Sequence, residues 1–104
     1  HEKNVLVIVA AAAMLPSADN LTHYIAEGAD LVTFSGGKGL RGPQSTGILA
    51  GRADLVEAAR LNMSPHASVG RGSKVAKEEI AAVLAALKRF VSIDHKAEWA
   101  TWRT

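Results

Sequence analysis

Three features of this 104-residue sequence predict an α/β fold. Residues 5–9, Val-Leu-Val-Ile-Val, form an unbroken run of the kind buried on both faces of a parallel sheet. Leu21, Tyr24 and Ile25 then make an i, i+3, i+4 helical stripe that Gly28 terminates. A second β-rich run, residues 29–34, follows at once, and strand, helix and strand over about thirty residues make a βαβ unit. Its right-handed crossover would set the two strands parallel.

The elements follow in order. His1-Glu2-Lys3-Asn4 resembles a cut end, and the run 5–9 should be an interior strand. Alanines 10–13 favour a helix by propensity, but Pro16, Ser17 and Asp19 mark a break and a new helix start. After the second strand comes the glycine-dense stretch Ser35-Gly36-Gly37-Lys38-Gly39-Leu40-Arg41-Gly42-Pro43-Gln44, and residues 46–50 form a further strand, antiparallel to the one before it, ended by Gly51. Residues 52–62 read as a helix with Leu55, Ala58, Ala59 and Leu61 on its apolar face. Residues 63–73 are rich in breakers and place a linker at 63–74, between a unit at 1–62 and a helical one at 75–104. Ser73 is the expected cap of a long helix carrying Val75, Ile80, Val83, Leu84, Leu87 and Val91, with Glu78 and Glu79 suited to its positive end. Asp94 caps a short last helix, whose Trp99 and Trp102 stand three apart and should finish a core.

Lys38 is the candidate for chemistry. Glycines at 36, 37, 39 and 42 permit positive φ and leave no Cβ to obstruct a close approach; the plain alternative is a flexible surface hairpin with a solvated lysine. Spacing separates the phosphate motifs that compete here. A Walker-type loop fails, because Val32 stands where its first glycine belongs and Gly39 where its hydroxyl belongs. Gly37-Lys38-Gly39-Leu40-Arg41-Gly42 matches Gly-x-Gly-x-x-Gly, but Pro43 and a β-like run follow it instead of a helix. Ser35-Gly36-Gly37-Lys38 remains: a hydroxyl and amides that could hold a phosphate while the amine condenses with an aldehyde, an arrangement suited to pyridoxal phosphate.

Residues 30–38, then Arg41-Gly42-Pro43-Gln44, Gly70-Arg71 and Lys74-Val75-Ala76-Lys77-Glu78-Glu79-Ile80, resemble fold-type-I pyridoxal-phosphate enzymes of the L-seryl-tRNA(Sec) selenium transferase group, most of all its D-glucosaminate-6-phosphate ammonia-lyase-like members. The likeness runs from Val5 to Trp102 and covers a fraction of the family's length, its C-terminal portion. It implies that residues 1–62 are part of the large cofactor domain and that 75–104 begin a small C-terminal domain. It also implies that Lys38 forms the internal aldimine, that Ser35, Gly36 and Gly37 bind the cofactor phosphate, and that Arg71 binds a substrate carboxylate or phosphate. The implied chemistry is elimination or replacement on an amino-acid-like or phosphorylated amino-sugar-acid substrate, in a homo-oligomer. The sequence departs from the family where an aspartate normally pairs with the ring nitrogen, since Ala10 stands there. Gly72-Ser73 replaces a common Pro-Met pair, and Ala76 a common glycine. An inactive truncated remnant, or a phosphate-ligand module without Schiff-base chemistry, are the alternatives.

Composition limits the rest. Twelve Lys/Arg against ten Asp/Glu leave a net charge of +2, which gives little support for nucleic-acid binding. The absence of cysteine excludes a disulfide scaffold and suits the cytoplasm. The apolar stretch 5–15 is too short to span a bilayer. His1, His23, His66 and His95 have no metal-ligand spacing and read as surface or loop residues, and Asp30 reads as the end of the Gly28 turn.

Overall fold

The structure, a computed structural model, describes residues 3–15 and 17–103. The expectations placed on His1, Glu2 and Pro16 lie outside the described residues. A three-stranded sheet of order β1-β2-β3 carries the fold, with β1 at Ile8–Ala10, β2 at Leu31–Ser35 and β3 at Gly47–Gly51. β1 runs parallel to β2 with Ile8 opposite Leu31, and β3 runs antiparallel to β2 with Ser35 opposite Gly47. Between β1 and β2 lies helix α1 (Asn20–Ala26), so the βαβ unit is present, and α2 (Ala53–Leu61) follows β3. A 3-10 turn at Arg71–Ser73 precedes α3 (Lys77–Ser92) and α4 (His95–Trp102). No helix among the described residues is long and apolar enough to cross a membrane.

The core forms on one face of β2. Val32 and Phe34 are buried there with Ala11, Leu15, Leu40 and Phe90, and Leu21, Tyr24 and Ile25 of α1 pack against them. Helices α1 and α3 therefore share one side of the sheet, the side that Val32 and Phe34 occupy in the alternation of β2. On α3 the buried positions are Val83 and Phe90, with Leu87 partly buried between them. Phe90 was not part of the expected stripe, whereas Ile80, Leu84 and Val91, which were, stay exposed. Leu84 and Val91 border an apolar groove of about 430 Å³ between α1, the sheet and α3, floored by Phe34, Ile48 and Ala50.

Several expectations are corrected. β1 is an edge strand and not an interior one: Ile8 is 65% exposed, and Val5, Leu6 and Val7 are also exposed. Its regular pairing starts late because Asp30, just ahead of β2, takes Val7 first; its carboxylate accepts the Val7 amide at 2.8 Å, and its own amide donates to the Val7 carbonyl at 2.9 Å. Asp30 is thus a buried tie between strands, also paired with Arg52 at 3.3 Å, and more than the end of a turn. Backbone hydrogen bonding from Val7, reinforced by the Arg52 guanidinium, holds its carboxyl below the usual carboxylate range. Ser73 lies in the 3-10 turn and does not cap α3. That helix starts at Lys77, where the Glu79 carboxylate accepts the Ala76 amide at 3.0 Å. On α2, Ala58 and Leu61 are exposed, with Leu55, Val56 and Ala59 half-buried. Asp94 does cap α4, accepting the amides of Lys96 and Ala97. Trp99 and Trp102 are exposed and finish no core. His95 is half-buried instead of superficial, its ring centroid 4.4 Å from that of Phe90 and its Nε2 donating to the Phe90 carbonyl at 2.9 Å.

Candidate functional site

The carboxyl end of β2 and the amino end of β3 are joined by residues 36–46, and the candidate site is built on this connection. The strand ladder continues one step beyond Ser35, where the Gly36 amide donates to the Thr46 carbonyl at 2.8 Å. A Cβ on Gly36 would collide with Thr46 Oγ1, and one on Gly39 would come within 2.5 Å of the Leu15 carbonyl oxygen. Among the described glycines, those with positive φ are Gly28 and Gly51, so the loop glycines are not there for left-handed backbone. They let the loop close onto its own neighbours, which corrects the expectation of positive φ and keeps that of close approach.

The loop is tied at several points. Gly37 donates its amide to Ser35 Oγ at 3.3 Å, and Gln44 donates its side-chain amide to the Gly37 carbonyl at 2.9 Å. Arg41 donates its amide to the Lys38 carbonyl at 2.8 Å, and Gly42 to the Gly36 carbonyl at 2.7 Å. Leu40 turns inward and is buried, while its neighbours Lys38 and Arg41 are exposed. Thr46 Oγ1 donates to the Pro43 carbonyl at 2.7 Å, and Ser45 Oγ donates to the Glu79 carboxylate at the start of α3. That hydroxyl and the Ala76 amide keep the Glu79 carboxyl below its ordinary range. This is a pinned loop and not a flexible hairpin.

Arg41 carries the loop's departure from ordinary backbone, with φ at 58°. Left-handed backbone costs a non-glycine residue about 1–2 kcal/mol. Its guanidinium donates to Glu98 Oε1 of α4 at 2.8 Å, and its Cζ lies 4.8 Å from the ring centroid of Trp102. An exposed ion pair contributes about 0.2–1 kcal/mol and an exposed cation–π contact about 0.5–1 kcal/mol. The two together are of the same size as the backbone cost, so α4 is positioned to offset it.

Of the residues singled out in the sequence, Ser35, Gly36, Gly37 and Lys38 come together at this strand exit. Arg71 stands in the closed segment where Gly70 donates its amide to the Asn62 carbonyl at 2.7 Å, and its guanidinium donates to the Pro65 carbonyl. Ala10 is the last residue of β1, opposite Thr33, and is exposed. Sequence reasoning missed Glu98 and Trp102, which lie 57 and 61 residues beyond Arg41 and carry no local signal of that pairing.

A family model for L-seryl-tRNA selenium transferase (SelA) matches residues 6–101. The L-seryl-tRNA(Sec) selenium transferase of Rhizobium meliloti (strain 1021) is 48% identical over 73 residues, covering 70% of this chain and 14% of that protein. A 5'-C-glycyluridine monooxygenase-decarboxylase from a Streptomyces species is 39% identical over 93 residues, covering 89% of this chain and 21% of its own length. The solved structure of D-glucosaminate-6-phosphate ammonia-lyase superposes with a TM-score of 0.74 at 28% identity, over 89% of this chain and 23% of that one. The chain therefore spans between 14% and 23% of these relatives.

Proposed function

This chain belongs to the L-seryl-tRNA selenium transferase family, and from that premise we propose that it is the lysine-bearing piece of a pyridoxal-phosphate-dependent lyase or transferase. The observation that carries the reading is the pinned loop at the carboxyl end of β2, the edge at which open α/β sheets place ligands, with an exposed lysine three residues after a serine. The residues present fit two ends of the cofactor. The open Lys38 amine suits its aldehyde, and the Ser35 hydroxyl beside the glycine backbone suits its phosphate. The exposed Ala10 provides no acid for the ring nitrogen.

When bound, pyridoxal phosphate supplies an electron sink for the negative charge that develops at the substrate's α carbon. Lys38 Nζ would hold the aldehyde end of the cofactor and, as a free amine, would accept the α proton of the substrate as general base. The Ser35 hydroxyl, with the Gly36 and Gly37 backbone, would hold the phosphate, and Arg71 would pair with a substrate carboxylate or phosphate. The substrate class in this reading is an amino acid or a phosphorylated amino-sugar acid, the product follows elimination or replacement, and the working enzyme is a cytoplasmic homo-oligomer. Residues 75–104 open a small C-terminal domain, reached across 63–74. Ala10 favours a second reading, a remnant that keeps the loop without full chemistry.

Incubation with pyridoxal phosphate, borohydride reduction and peptide mass spectrometry tests the proposal. One adduct per chain on Lys38, lost in Lys38→Ala, is the expected result. Labelling scattered over surface lysines, or none at all, overturns it.

A further inference from the structure

We infer that Glu98 and Trp102 of α4 are positioning residues for Lys38, acting through Arg41. The inference rests on the reading of Lys38 as the functional amine. The geometry is a short relay. Arg41 donates its amide to the Lys38 carbonyl at 2.8 Å, so the backbone of Arg41 fixes the turn that presents Lys38. That backbone is left-handed, at φ 58°, a region a non-glycine side chain leaves unless something retains it. Glu98 accepts the guanidinium at 2.8 Å, and Trp102 lies beneath it at 4.8 Å. Glu98 is 21% exposed and also lies 3.5 Å from Arg89 Nη2 of α3, so it bridges both C-terminal helices to the loop.

The burial pattern supports a purpose beyond packing. Trp102 is 66% exposed, so it adds little to the core, and its cation–π partner is the one positive-φ residue of the lysine loop. Leu40 keeps the middle of the loop seated from inside, whatever α4 does. Undocking α4 therefore frees the turn at Lys38 and Arg41 without dissolving the fold. The position of α4 sets how well Lys38 is presented, and anything that moves this helix in the assembled enzyme adjusts the amine.

Two measurements on the intact chain test this. Hydrogen exchange needs no cofactor: in Trp102→Ala and Glu98→Gln, the Arg41 and Gly42 amides should exchange about two- to fivefold faster, the size of one exposed contact. The ladder amides of Val32 and Phe34 should not change. Trapping on Lys38 reads positioning: the pyridoxal phosphate concentration giving half-maximal borohydride labelling should rise by about the same factor, and Trp102→Phe should restore it. Arg41→Gly, which accepts left-handed backbone freely, should make Lys38 indifferent to Trp102→Ala. Unchanged exchange at Arg41 and Gly42, or faster exchange across the whole sheet, overturns the inference. So does unaltered trapping in Trp102→Ala where the native chain labels well. If the native chain never labels on Lys38, the cofactor reading falls and the exchange data alone decide the relay.

Discussion

Gly36 is the residue on which the geometry of the lysine loop turns, because its backbone lies against the Thr46 side chain with no room for a methyl group. Gly36→Ala should cost about 1–3 kcal/mol in urea unfolding, the usual range for overpacking. It should also weaken labelling of Lys38, since the Gly36 to Thr46 hydrogen bond must shift to admit the Cβ. Ala10 makes the opposite case. It is exposed at the end of β1, so Ala10→Asp fits without burying a charge. If an acid for the ring nitrogen is what the site lacks here, the substitution should tighten pyridoxal phosphate about tenfold or more, as a charge-assisted hydrogen bond does; titration of the bound-cofactor absorbance checks this. Glycine density and the Ser-x-x-Lys spacing made the loop legible in the sequence. Its true constraint, close packing of Gly36 on Thr46, Gly37 on Gln44 and Gly39 on Leu15, was not, because it depends on how the loop folds back on itself and onto a residue far away in sequence.

Strand β1 depends on a side chain that is not its own. Asp30 receives the Val7 amide and pairs with Arg52, so one carboxylate ties the approach to β1, the start of β2 and the start of α2 together. Its folded pKa is depressed, so its stabilisation is complete above the ordinary carboxylate value of about 4 and is lost as pH falls through the lowered value. Asp30→Asn should therefore lower the thermal midpoint at neutral pH and flatten the decline of that midpoint on acidification, both measurable by circular dichroism. The strands, their relative directions and the presence of all four helices could be read from period and punctuation. The start of α3 could not: Ser73 looked like a cap, but Glu79 reaching back to Ala76 defines the helix start three residues later. Phe90 escaped because charged neighbours on either side of the expected stripe drew the apolar face toward Val91, whereas the packed face runs through Val83 and Leu87 to Phe90.

At the scale of the molecule the chain is a slab of 48 × 39 × 17 Å. Its accessible surface is 7271 Å² at 10.9 kDa, against about 5,600 Å² for a monomer of that mass. The excess is about twice what one partner buries in a standard protein interface, and the exposed apolar residues of β1 and of the α3 groove contribute to it. Sedimentation of the isolated chain should show concentration-dependent association, and substituting Leu84 and Val91 with glutamate should reduce it without loss of helix content. Composition, with 48% hydrophobic residues and a net charge of +2, is that of a globular domain or a piece of one. The flat shape was not legible because composition does not say which faces an element leaves uncovered.

The β2–β3 hairpin also orders events in time. Its strands are joined by eleven residues, so the ladder that holds Lys38 closes through local contacts, whereas β1 must return across a helix and α4 must arrive from the far end of the chain. Local closure is fast and distant closure is slow. The lysine loop should thus belong to the folding nucleus: substitutions in β2 or β3 should slow refolding, while those at Glu98 or Trp102 should chiefly hasten unfolding. The Lys38 amine would then take its place early, and its fine adjustment would come last.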